Sequence, residues 1–279
     1  MRGVYGHCES LVRAADKDRF LTALFLPVAA RAHAFAIYAF NCEIGAVRDR
    51  AKEPLAGEVR LQWWRDALAD RAAGGLAGNP VAAALIETIE SKKLPIEIFE
   101  RIIEAREFDL YDDPMPSMQA FESYLRLTSS SIFDLVGKVL LGESTAFSTA
   151  AGHAGIAYGI TGLLRALPLH ASRGQIFLPA DLLARHHVDL DSVLAGRSTP
   201  ALLDALSELR EKARTHYDEL DRLLLSLPAK AQGAFLPLVL TDAYLVRMQR
   251  RDYDPFSTPI ELSQLRRQWK LWRAARGVG

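Results

Sequence analysis

Cysteine is scarce in this chain: 279 residues hold only Cys8 and Cys42. Two thiols cannot build a disulfide framework, and no Cys/His spacing of the zinc-binding kind accompanies them. A reducing compartment fits. Net charge is absent, since 34 Lys+Arg balance 34 Asp+Glu. No global field therefore favours nucleic acid, no recognised nucleic-acid motif occurs, and basic residues are mixed with acids. No glycine-rich phosphate loop follows a strand, which removes the usual handle for nucleotides. Long apolar runs are missing too. No stretch of about eighteen uncharged apolar residues could span a bilayer, and the first ten residues lack the apolar core of a secretory signal. The expected location is cytoplasmic, at most peripheral to the inner membrane.

Strand signals are nearly missing. The best, Gln175-Ile176-Phe177-Leu178, is short and ends in Pro179. What remains is helical periodicity, carried by a hydrophobic fraction of 49% that suffices for a large core. Asp16 and Asp18 sit where a helix could start, with Phe20, Leu21, Leu24 and Phe25 following on one side. Beyond Pro27, an apolar helix is expected from Val28 to about Arg48. Pro54 and Gly57 mark a turn before a helix over Glu58 to about Ala73, stopped by Gly74 and Gly75. Asn79-Pro80 has the cap-then-proline signature of a helix start, and Pro95 opens another helix ending near Asp112. Further helices are expected at Met118–Leu141, Thr145–Leu167, Thr199–Leu225, Ala229–Arg251 and Ile260–Arg276, with Pro168 ending the second of these near Leu167. No long Gly/Ser/Pro linker intervenes, so residues 1–279 read as one all-α domain of roughly nine or ten helices.

Two stretches stand out. Tyr38 to Asp49 is apolar through Phe40 and then turns polar along one helix. Thr161 to His170, followed by Arg173 to Pro179, continues a helix thinned on one face by Gly152, Gly155, Gly159 and Gly162. Such a face permits either close helix packing or a cavity beside the backbone.

With Gln62-Trp63-Trp64-Arg65, the Thr161-x-x-x-Arg165 spacing, the closing Leu178-Pro179 and the Asp252–Phe256 exit, these stretches resemble the squalene/phytoene synthase family along nearly the whole chain. The resemblance implies a single-domain isoprenoid-synthase-like helical bundle. Active members carry Asp-x-x-x-Asp on two facing helices. Residues four apart share a helix face, so the carboxylates hold magnesium ions that draw off a prenyl diphosphate leaving group. Aligned on the family's motifs, those positions fall on Gly45 and Asp49, with Ala46 beside them, and on Ala166 and His170. One of the four carboxylates survives. Glu43 points away from Gly45 by near 200° of helix rotation.

The run Leu164-Arg165-Ala166-x-Pro168-x-His170, with Arg173, Phe177-Leu178-Pro179, Phe40-Asn41-x-Glu43 and Arg60-Leu61-Gln62-Trp63-Trp64, resembles a branch of the family without acidic motifs. That branch includes the mitochondrial assembly factor for respiratory complex I and its bacterial relatives. It implies a non-catalytic protein, with complex I (NADH dehydrogenase) subunits as partners and no cofactor. The alternative is a transferase condensing two prenyl diphosphates with magnesium, Asp49 being the surviving ligand and Glu43, Glu104, Glu107 and Asp109 the nearest substitutes. A third reading is an isoprenoid carrier, its cavity lined by the Val28–Phe40 and Gly152–Gly162 helices. For an isoprenoid or prenyl diphosphate ligand the candidate contacts are Arg31, Tyr38, Phe40, Asn41, Arg165, Arg173 and Phe177. Arg31, Arg165 and Arg173 form a candidate anion site, since an arginine fork suits phosphate, though ordinary ion pairing accounts for them as well.

Other features have plainer readings. Trp63 and Trp64 diverge by about 100° on a helix, so at least one belongs to the core. His186-His187 are expected in a solvated loop, and Cys42 as a small packed residue. Along 260–276, Leu262, Leu265, Trp269 and Trp272 follow 3-4-3 spacing beside Arg266, Arg267, Lys270, Arg273 and Arg276. This stripe fits a helix lying on anionic lipid and equally a terminal helix docked on the bundle.

Overall fold

A computed structural model describes residues 3–51, 53–69 and 78–276. In chain order the helices are α1 (Val4–Ala15), α2 (Lys17–Ala23), α3 (Val28–Gly45), α4 (Val47–Arg50), α5 (Pro54–Ala69), α6 (Pro80–Lys92) and α7 (Ile96–Ala105). A 3₁₀ turn, Arg106–Leu110, leads to α8 (Met118–Leu125), a π turn (Arg126–Ser130), α9 (Ser131–Leu141) and α10 (Thr145–Ser172). Then follow α11 (Ala180–Arg185), α12 (Leu190–Leu194), α13 (Pro200–Leu224), α14 (Ala229–Gln232), α15 (Pro237–Met248) and α16 (Gln264–Arg276). No strand forms among the described residues. Gln175–Leu178 is irregular, and the one isolated bridge joins Met115 to Pro179.

Local chemistry explains the helix starts. Asn79 accepts from the N–H groups of Val81 and Ala82 with Pro80 in the first turn, and Thr199 accepts from Leu202 ahead of Pro200. Asp16, Ser117 and Ser144 cap α2, α8 and α10 in the same way. The expected stop at Pro168 is not a stop: α10 runs through it to Ser172. A proline removes one donor and clashes one turn back, a local cost that packing along both sides of a 28-residue helix offsets. The last helix begins at Gln264 rather than Ile260. The expected stop at Gly74-Gly75 lies outside the described residues. His186 is not simply solvated, since its Nε2 meets Glu208 at 2.9 Å.

α10 is the axis of the bundle. Its first half joins a core with α1, α3, α6, α7 and α9, where Phe35, Phe40 and Phe99 are fully buried. Its second half joins another, with α13, α15 and α16. The glycines divide their tasks. A side chain at Gly155 would collide with the Ser130 backbone, and one at Gly159 would come within 2.7 Å of Leu125. These two let the π turn press against α10, where the Ser130 hydroxyl donates to the Gly152 carbonyl at 2.9 Å. At Gly162 an added Cβ meets nothing within 4 Å, so this glycine fronts open space.

Candidate functional site

The two stretches that stood out in the sequence meet at one end of the bundle. α3 breaks at Ala46, so Gly45 ends one helix while Asp49 sits on the short α4. Across from them, the last turn of α10 brings His170 and Arg173, and Arg173 pairs with Asp49. Both members of that pair are exposed enough for water to screen it. The His170 ring packs 4.6 Å from Phe177. Burial lowers the His170 pKa, aided by Arg173 and opposed by Asp109 and Asp49. Ala166 contributes no donor.

Behind this rim lies an ion cluster. A side chain at Gly45 would approach the Arg106 guanidinium at 3.7 Å, so position 45 faces a cation. Arg106 donates to Asp109 at 2.8 Å and to the Tyr124 hydroxyl at 2.8 Å. The Tyr124 hydroxyl donates to Asp109 at 2.6 Å, and Gln175 donates to the Asp109 carbonyl at 3.0 Å. Burial works against the charged guanidinium, yet Tyr124 and Asp109 raise its pKa on balance.

The other acids proposed as substitute ligands are engaged in the same manner. Glu43 pairs with Arg50 at 2.6 Å and Glu107 with Arg65 at 2.6 Å, while Glu104 is exposed on α7. Among the described residues no three His, Cys, Asp or Glu side chains converge as a metal cage would require. Magnesium demands several oxygen ligands in near-octahedral array. A set in which Asp49, Glu43, Glu107 and Asp109 each face an arginine does not fit it.

The three arginines of the candidate anion site do not converge. Arg31 donates to the Leu24 and Leu26 carbonyls at 2.8 and 3.2 Å, fixing the turn between α2 and α3. Arg165 reaches Glu261 at 2.6 Å and Asp18 at 3.6 Å, stacked 3.8 Å over the Tyr244 ring. Arg173 holds Asp49. Phe40 packs edge-on to Trp64 and Phe99 in the core, with Trp63 outside at 41% exposed. Tyr38 is buried, which pushes its pKa up to about 12, and burial takes Cys42 equally high. Phe177 closes over His170, Phe108 and Tyr124.

Asn41 belongs to a cleft of about 200 Å³ between α2, α3, the π turn and α10. Its walls include Arg19, Arg106, Ser129 and Tyr158, which the sequence reading did not single out. No sequence signal marks them, because they come from four separate elements and each looks ordinary in its own segment. The cleft is more polar than an apolar prenyl-lining cavity would be.

Comparison with known proteins agrees with this architecture. The chain is 33% identical to a mouse (Mus musculus) protein named NADH dehydrogenase (ubiquinone) complex I, assembly factor 6, over 93% of this chain and 78% of that one. It is 29% identical to the phytoene synthase of Thermus thermophilus, over 75% of this chain and 71% of the other. Its fold is similar to squalene synthase HpnC from Alicyclobacillus acidocaldarius, with a TM-score of 0.78 at 24% identity, covering 91% and 95% of the two chains. A dehydrosqualene synthase solved in complex with ligand gives a TM-score of 0.81 at 19% identity, over 99% of this chain and 96% of that one. The sequence profile of squalene/phytoene synthase matches residues 12–273, and with helices, glycine packing and facing motif ends all in place, the chain belongs to the squalene/phytoene synthase family.

Proposed function

We propose that this protein is a non-catalytic family member that assists assembly of a respiratory NADH dehydrogenase, working at the membrane surface. The observation that carries the reading is the pairing of Asp49, the one carboxylate at the aligned motif positions, with Arg173, while Gly45, Ala166 and His170 supply none. The 33% identity to a protein named as a complex I assembly factor supports the choice of client.

The surface of α16 supports the location. Among the described residues no helix is long and apolar enough to cross a membrane. Docking of α16 uses Leu271 and Arg267, which are buried, and leaves Leu265, Trp269 and Trp272 80%, 57% and 48% exposed. Arg273 and Arg276 lie over the two indoles at 5.5 and 3.7 Å. Indole rings flanked by arginines suit the headgroup layer of an anionic bilayer. Leu24 and Phe25, 39% and 41% exposed, line clefts against the docking side of α16 at Gln268 and Ala275.

A strain lacking the chain should lose membrane NADH dehydrogenase activity and regain it from a plasmid copy. Magnesium-dependent release of diphosphate from farnesyl diphosphate by the purified protein would favour the transferase reading and overturn this one.

A further inference from the structure

Away from the cleft and the motif ends, α10 and α13 bring two histidines face to face. His153 stands on α10 and His216 on α13, both half-buried, and their Nδ1 atoms lie 3.1 Å apart. The ring centroids are 5.0 Å apart, with the planes inclined at 46°. The backbone holds both positions firmly. Ala154 and Ala157, next to His153 in the chain, and Ala213 and Leu220, either side of His216, are fully buried in the two cores. Each imidazole therefore projects from a helix that cannot roll without uncovering apolar surface.

One Nδ1–H can donate to the other Nδ1 across that gap, which occupies a single proton. The same spacing suits a second use. Two nitrogens bound to one ion at ~2.0–2.1 Å, at angles of ~90–109°, lie about 2.9–3.4 Å apart. The pair already has the bite of two adjacent ligands. Neutral imidazole is the form that ligates a metal, and burial, then His153, takes the His216 pKa down to about 4. The neighbours set the local charge. Glu122 on α8 pairs with Lys212 on α13 at 2.5 Å, which balances that cation, and Arg126 is exposed to screening water. Glu122 also acts on His216 across the groove, and an ion held between the rings competes with Lys212 for its carboxylate. Imidazole ligands suit zinc and copper rather than magnesium.

We propose that His153 and His216 form a site for a divalent transition-metal ion, with Glu122 drawn in as a third ligand and water completing the shell. Bound there, the ion ties α10 to α13 and stabilises the fold by mass action. The site is separate from the motif ends and independent of the assembly role.

The test is calorimetry and thermal melting of the full chain with zinc chloride and copper(II) chloride, with magnesium chloride as the control. One zinc per chain is expected, with a raised melting temperature, and copper should bind more tightly than zinc. His153→Gln and His216→Gln should each weaken zinc binding at least about tenfold, since loss of even a supporting group around a metal costs about 10–100-fold. Glu122→Gln should weaken it by a smaller factor. The paramagnetic resonance spectrum of the copper-loaded protein should show coupling to two nitrogens, a readout that does not depend on how well the variants fold. Failure of the folded protein to bind zinc at millimolar concentration would overturn the proposal. So would zinc binding that survives in the His153→Gln/His216→Gln double variant, or a magnesium response equal to that of zinc.

Discussion

Asp18 and Arg19 are neighbours on α2, both buried, yet they end in opposite circumstances. One residue step rotates a side chain by about 100°, which turns Asp18 toward α15 and α16 and Arg19 toward α3 and α10. Asp18 meets Arg267 at 2.7 Å, Arg165 at 3.6 Å and the Tyr244 hydroxyl at 2.8 Å, with Glu261 closing the rim against both arginines. Burial raises the Asp18 pKa, and the two arginines oppose that rise. Two acids answer two arginines there. On the other side, Arg19 meets one carboxylate, Asp16, at 3.8 Å and lies over the Tyr158 and Tyr38 rings at 4.9 and 5.3 Å. The first cluster is a closed set of short ion pairs, whereas the second is held by aromatic rings and one more distant carboxylate.

Removing the acid from the first cluster should have the largest effect. Asp18→Ala strands Arg267, itself 6% exposed, and should cost about 3–5 kcal/mol in urea unfolding. Arg19→Met, one residue along, should cost less, about 1 kcal/mol, because the buried charge it deletes has its nearest carboxylate 3.8 Å away. Equal losses would dissolve the contrast. The glycines permit a second comparison. Gly155→Ala forces a methyl into the Ser130 backbone and should lose about 1–3 kcal/mol. Gly162→Ala meets open space and should gain up to ~1 kcal/mol from helix propensity.

Acidification probes a third polar contact. His216 on α13 lies 3.1 Å from His153 on α10, with Glu122, Lys212 and Arg126 around the pair. Burial, then His153, lowers the His216 pKa from 6.5 to about 4. Between those values the unfolded chain takes up a proton that the folded chain refuses. The stability is fully present above pH 6.5 and drains away as pH falls toward 4. Since His216 is half-exposed, solvent screening reduces the effect. A melting temperature lower by about 2–4 °C is expected at the acid end of the window, and His216→Gln should remove that part of the fall. The smallest effect on stability belongs to α16. Trp269→Ser with Trp272→Ser should stay within about 0.5 kcal/mol of the parent, while sedimentation with phosphatidylglycerol vesicles is lost.

The helices were legible because their signals are local. Asn79-Pro80 and Thr199-Pro200 carry a cap and a fixed φ in two adjacent residues. Pro168 misled for the same reason: a local rule names the strain, whereas the packing along α10 that outweighs it comes from α13, α9 and α15. The motif ends were placed by resemblance, and Asp49 does lie opposite the end of α10 through Arg173. Nothing in the run Asp18-Arg19-Phe20 announces a buried guanidinium, because the partners that enclose it lie tens of residues away. On α16, the apolar stripe alone fits either docking or exposure; the fold resolves this by burying Leu271 and Arg267 and turning Leu265, Trp269 and Trp272 outward.

The π turn at Arg126–Ser130 has a consequence at the level of the gene. A π turn is an α-helix holding one residue too many, and here that extra residue lies between Tyr124, which braces Asp109, and Ser130, which binds the Gly152 carbonyl. An in-frame deletion of a single codon would restore regular winding but swing α8 about 100° relative to α9. Tyr124 and Ser130 could then no longer both keep their places. This short segment should therefore tolerate point substitution at its exposed positions far better than any change in length.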